Sequence, residues 1–127
     1  MRKGQFILIF LLVGKLVMVQ GCIVAAAGAG AGTIAYIRGD LEAVEPKGLN
    51  AVYSATEKAM DELELNVIQK KKDATSAVIV ARDAEDKKIT IKLSPTAQES
   101  TKLSIRVGLF GSETKSRLIY QKIHDNL

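Results

Sequence analysis

The sequence predicts an α+β domain: one antiparallel β-sheet of about five strands with two helices packed on one of its faces. Three observations carry that expectation. Residues 89–94 and 102–109 alternate apolar and polar side chains, the mark of antiparallel strands with one wet face. Residues 49–63 and 112–127 repeat apolar side chains at intervals of three and four, as amphipathic helices do. No ten-residue helical stretch separates the later strands, so parallel crossovers have no room there. The predicted order is β-α-β-β-β-β-α, in a domain of roughly 90 residues, near the small end of self-supporting folds.

Each element has its own signal. Thr33 to Val44 reads as one strand with a break near Gly39-Asp40. Ile34 and Tyr36 share one of its faces; Ile37, Gly39, Leu41 and Ala43 share the other. Pro46 to Gly48 is a breaker cluster. The first helix follows, with Leu49, Val52, Tyr53, Thr56, Ala59, Met60 and Leu63 on a core face opposite Glu57, Lys58, Asp61 and Glu62. Leu65 to Lys72 begins apolar and ends in Lys70-Lys71-Lys72, while Ala77 to Ala81 is apolar enough for a central strand. Asp83 to Lys87 is a tight turn without Asn-Gly or Asp-Gly. Ile89, Ile91 and Leu93 form the next inward set, and Ser94 to Ser100 reads as a polar loop broken by Pro95. Leu103, Ile105, Val107 and Leu109 alternate with Lys102, Ser104, Arg106 and Gly108. Gly111-Ser112 stops that strand; Ser112 is the expected N-cap and Glu113 favours the helix dipole. Ile119, Tyr120, Ile123 and Leu127 make the second stripe.

The N-terminus has a different character. Arg2 and Lys3 precede an unbroken run of eight apolar residues, Phe6 to Val13, and Leu16 to Val19 resume it after Gly14-Lys15. Gly21-Cys22 follows. Cation, apolar core and small residue at the cut are the layout of a secretory signal peptide. Val19-Gln20-Gly21-Cys22 resembles the bacterial lipobox, with Gln20 in place of the usual small residue. A thiolate can take a diacylglyceryl group as a thioether, and the small Gly21 lets a peptidase reach the bond. One acyl chain anchors marginally, at about 0.8 kcal/mol per buried CH₂, so two or three chains on Cys22 make release negligibly slow. The expected organisation is a signal peptide at 1–21, a lipidated cysteine with an Ala/Gly-rich tether at 22–32, and the folded domain at 33–127. Ile23 is not acidic, which by the sorting tendency of enteric lipoproteins favours the outer membrane over the inner. The competing reading is an uncleaved transmembrane helix at 16–37, since those 22 residues carry no charge and include the Gly28/Gly32 spacing. That reading places the protein in the inner membrane, although Ala and Gly supply little hydrophobic drive.

Composition excludes several classes. The 127 residues carry 18 Lys and Arg against 14 Asp and Glu, a net charge of +4. Arg2, Lys3 and Lys15 belong to the leader, and without them 15 cations face 14 anions. The basic character is therefore a property of the leader and no argument for nucleic acid. One cysteine rules out a disulfide framework within the chain and any multi-cysteine metal site. Gly28, Gly30 and Gly32 lack the lysine of a phosphate loop, and a β-branched segment follows where a helix would be needed. No cofactor is implied.

The runs GAGAGTIAYIRGDLEA (28–43), NAVYSATEKAMDELEL (50–65), KKITIKLSP (87–95) and TKLSIRVGLFGSETKSRLIYQKI (101–123) resemble a family of small bacterial lipoproteins known only as a domain of unknown function. IRVGLFG is the most specific part of the likeness. The family typically has Asp-Gly where this chain has Glu85-Asp86, and Asp where it has Ser112. The resemblance implies a lipoprotein with one domain and carries no catalytic residue.

Candidate chemistry is sparse. Asp83, Glu85 and Asp86 cluster in a turn without calcium-loop spacing, and no metal site is read there. His124 beside Asp125 lacks a positioned nucleophile, and no serine sits in a nucleophile elbow. No enzyme is expected. Lys70, Lys71 and Lys72, with Arg82, Lys92, Lys102 and Arg106, could form an anion-binding patch, or a solvated face interleaved with acids. The functional expectation is a palmitate-bearing lipoprotein, held to the outer membrane on its periplasmic face, whose domain serves an accessory role by binding an envelope protein partner. The alternative is a carrier for a small ligand or anionic lipid, which needs a cavity between helix 49–63 and the sheet.

Overall fold

Period-two patterning builds the sheet, and two turns decide how many strands it has. A computed structural model describes residues 34–97 and 99–127. The strands are β1 (Ile34–Ile37), β2 (Asp40–Glu45), β3 (Asn66–Lys72), β4 (Ala77–Arg82), β5 (Lys88–Ala97) and β6 (Ser100–Val107); the helices are α1 (Leu49–Glu62) and α2 (Glu113–Asp125). The strands form one antiparallel sheet in the order β1-β2-β6-β5-β4-β3. The α+β class and both helices stand as the sequence predicts, with six strands in place of about five.

The extra strand comes from the stretch read as one. Arg38 (φ 53) and Gly39 (φ 89) both adopt left-handed backbone, so the chain reverses in a two-residue turn. Tyr36 then pairs with Leu41 and Ile34 with Ala43, which puts all four on one face. The expected division of faces is corrected, because the turn inverts the parity that a continuous strand would keep. Two further boundaries differ. β5 continues through Pro95 to Ala97, where Ser94 to Ser100 reads as loop. Pro95 pairs with Thr101 beyond Leu93, the last residue opposite β4, so one side of the strand is already open for a residue without an N–H. β6 ends at Val107, because Gly108 (φ 74) turns the chain, and Leu109 leaves the inward set.

The core lies between one sheet face and the helices. Leu41 and Ala43 of β2, Ala77, Ile79 and Ala81 of β4, Ile89, Ile91 and Leu93 of β5, and Leu103, Ile105 and Val107 of β6 are buried there. Val52, Ala55, Ala59 and Met60 of α1 and Ile119, Tyr120 and Ile123 of α2 cover them. Each large apolar side chain so buried contributes about 1.5–3 kcal/mol. Thr56 enters this layer because its hydroxyl donates to Val52 O at 2.7 Å. The space beneath α1 is filled by these buried residues, so a ligand cavity between it and the sheet is not where the chain leaves room.

Both helix ends have a local cause. Leu65 N–H donates to Met60 O and Glu64 N–H to Asp61 O, with Glu64 at φ 55, which is the Schellman closure with glutamate in the usual glycine place. Ser112 accepts from Lys115 N–H at 3.4 Å, and Glu113 stands in the first turn, as the sequence predicts. Lys70 to Lys72 end β3, one of the two edge strands of the sheet, where lysines oppose pairing with another chain.

The register gives the sheet two distinct ends. The Arg38-Gly39 turn, the Asp83–Lys87 turn, the 108–111 loop and the α1–β3 connection meet at one, here the upper end. Ile34, Glu45, the 73–76 turn and the β5–β6 connection lie toward the lower. Residues 34–37 of the charge-free run read as a membrane helix are β1; the rest of that run lies outside the described residues. Among the described residues, no helix is long and apolar enough to cross a membrane.

Candidate functional site

Gly21 and Cys22 lie outside the described residues. The lysine run divides between faces, as alternation requires. Lys70 and Lys72 pair with Ile79 and Ala77 on the helix side, and Lys71 with Val78 on the other. Lys70 Nζ lies 3.1 Å from Glu57 Oε1, a contact that raises the ammonium pKa, and Lys72 Nζ sits 5.2 Å above the Tyr53 ring. Arg82 donates to Asp86 O at 2.9 Å and approaches its carboxylate at 3.5 Å. Lys102 pairs with Glu42 at 3.4 Å. β5 separates Arg82 on β4 from Arg106 on β6. The register therefore divides the predicted patch: Lys71, Arg82, Lys92, Lys102 and Arg106 share the sheet face away from the helices, whereas Lys70 and Lys72 lie on the helix side.

Arg106 works as a clamp. Its Nη1 donates to Arg38 O at 3.1 Å and to Asp40 Oδ1 at 3.0 Å, and its Nη2 to Leu109 O at 2.7 Å. One guanidinium thus ties the β1–β2 turn to the 108–111 loop, using the planar fork that lysine lacks. The two loops also touch backbone to backbone. A Cβ on Gly111 would stand 2.3 Å from Gly39 O, and one on Gly39 would stand 2.7 Å from Phe110 O. The outcome is a braced tip on which Leu109 is 79% and Phe110 87% exposed.

The acidic turn closes on itself and on α2. Asp83 Oδ1 accepts from Glu85 N–H and Lys87 N–H, each at 2.9 Å. Asp86 takes φ 63, the left-handed place that glycine fills at lower cost. Lys115 Nζ reaches Asp83 Oδ2 at 2.9 Å and Glu85 Oε2 at 3.1 Å. Its hydrogen bonds hold both carboxyls below their ordinary pKa and raise its own. Below this rim lies a groove of about 310 Å³ lined by Leu63, Leu65, Ala84, Ile89, Leu118 and Ile119. The Schellman turn delivers Leu63 and Leu65 to it, and Leu118 stays 59% exposed at its mouth.

A third cluster is polar and internal. Glu45, at the end of β2, is 1% exposed. Tyr120 Oη donates to its Oε1, and His124 Nδ1 lies 3.1 and 3.3 Å from its two oxygens. The phenol pKa is pushed far above its ordinary value, by burial first and then by the bond to Glu45 and its charge. The two rings stack with centroids 5.8 Å apart. A carboxylate that accepts from Nδ1–H leaves Nε2 as the open nitrogen of a half-exposed imidazole. The partner of His124 is thus Glu45 across the fold, not the neighbouring Asp125. Among the described residues, no three His, Cys, Asp or Glu side chains are placed to hold a metal ion.

Two of these features left traces in the sequence. Glu45 follows Leu41 and Ala43 at period two, so an acid occupies a core position of the strand pattern. Tyr120 and His124 are four apart and must share a helix face. The braced tip left none, because Leu109 continues an alternation that only the backbone at Gly108 ends.

The model of one family, described as "Protein of unknown function (DUF3568)", matches residues 5–126. No curated protein matches the chain.

Proposed function

The chain belongs to this family of proteins of unknown function, and from that premise we propose that it is an envelope lipoprotein: lipid on Cys22 holds it to the membrane, and the α+β domain acts by binding, without turnover. The observation that carries the reading is Gly21-Cys22, one residue (Gln20) beyond the apolar runs 6–13 and 16–19. A thioether and an acylated α-amino group on Cys22 supply the two or more chains that durable anchoring requires. The outer membrane, on the periplasmic face, is the proposed address, because Ile23 carries no acid; an uncleaved leader would place the chain in the inner membrane instead. Support for binding comes from the upper end of the domain, which offers an apolar groove to a partner.

A second reading, a carrier for a small apolar molecule, loses its expected cavity beneath α1 and rests instead on the groove at the C-terminal end of that helix. Its volume of about 310 Å³ stands at the lower end of the range for ligand sites. Metabolic labelling with palmitate tests the first reading. Wild type is expected to take up label and partition into detergent, whereas Cys22→Ser remains an unlabelled precursor. Equal labelling of the two chains would refute the lipid site.

A further inference from the structure

We propose that the tip formed by Leu109 and Phe110, with Ile37 and Arg38 beside it, docks onto the lipid bilayer, so that the chain meets the membrane at a second point. The proposal rests on the reading of Cys22 as an anchor and adds a contact made by the folded domain itself. Single exposed apolar side chains are ordinary, but here two large ones follow each other at 79% and 87% exposure, with Ile37 at 51% on the neighbouring strand end. The loop that carries them is built and braced, not slack. Arg106 binds Leu109 O and Arg38 O, and Gly39 and Gly111 let the two backbones touch. A loop held in one shape loses little conformational entropy when it inserts.

Several features select lipid as the occupant. A projecting tip presents no concave surface to grip a ligand, and a fluid acyl layer demands none. Arg38 is exposed and makes no ion pair with a described residue, so its cation can rest among lipid phosphates while its stem follows the apolar contact. Chain length permits the geometry. Eleven residues, 23–33, separate Cys22 from Ile34. Fully extended they reach roughly 40 Å, while the eight residues of β6 span about 26 Å from the lower end to the upper. A lipid on Cys22 would keep the domain, and with it the tip, at high effective concentration near the bilayer.

The chain has no tryptophan, so one introduced residue reports alone. The full chain carrying Phe110→Trp is reconstituted into vesicles of phosphatidylethanolamine and phosphatidylglycerol, with and without bromine on the acyl chains. Glu99→Trp, at the β5–β6 connection of the lower end, is the reference. The expected result is a shift of Phe110→Trp emission to shorter wavelength and loss of most of it to brominated lipid, with Glu99→Trp unquenched. A chain that floats with the vesicles while its Phe110→Trp emission stays that of water overturns the tip and leaves the anchor standing. A shifted emission that bromine does not quench overturns it in favour of a second copy or another protein covering the tip. A chain that neither floats nor shifts overturns both readings.

Discussion

Tyr120→Phe tests the internal polar cluster with the smallest change of shape. The ring stays and the hydroxyl goes, leaving the Glu45 carboxylate, 1% exposed, with His124 as its remaining side-chain partner. A hydrogen bond to a charged group contributes about 1.5–3 kcal/mol, and that is the expected loss. Glu45→Leu works from the other side. It strands the phenol hydroxyl of a residue 4% exposed, at an expected cost of about 1–3 kcal/mol. The double variant strands neither group, so its cost should fall short of the summed single costs by about 0.5–3 kcal/mol. Urea unfolding followed by circular dichroism measures all four chains, and an unchanged slope against urea confirms that the same surface unfolds. Thermal melts give an independent reading, since each kcal/mol moves the midpoint of a domain this size by about 4–8 °C. Strictly additive costs would refute the reasoning. So would a Tyr120→Phe chain within about 0.5 kcal/mol of wild type, because water would then be solvating the carboxylate that the structure encloses.

Lys115 and Ser116 offer two further checks. Asp83 and Glu85 have folded-state pKa values held below their unfolded ones of about 3.9 and 4.3, so the stability they contribute is present above those values and is lost as pH falls through the folded ones. Lys115→Met should lower stability at neutral pH and flatten its decline on acidification below about pH 5; an acid limb as steep as wild type would show that the lysine does not hold the turn. Ser116 Oγ is buried with no hydrogen-bond partner among the described residues. Ser116→Ala should therefore raise stability by about 1 kcal/mol in the same urea assay, and a loss would mean that the hydroxyl has found a partner.

Most of the framework was legible because it follows local rules. The stripe from Val52 to Met60 faces the core as its spacing requires, Ser112 caps α2, and the inward sets of β5 and β6 are buried through Leu93 and Val107. The failures share one cause. A pattern of apolar positions states which side of a strand is buried, but not where the backbone takes a positive φ. Arg38-Gly39 turned one strand into two, and Gly108 released Leu109 into solvent. The lysine run illustrates a different limit, since a cluster in sequence becomes alternate faces in a strand.

By itself the sequence determined the α+β class and the composition of the core, because each depends on residue types at short spacings. Only the tertiary structure decided that Glu45 meets Tyr120 and His124, that Arg106 braces two loops, and that Leu63, Leu65 and Leu118 border one groove. Those contacts join residues up to 79 positions apart. Strand order and helix placement create them, and no local preference of the chain encodes a meeting between segments that approach only once the sheet has closed around its core.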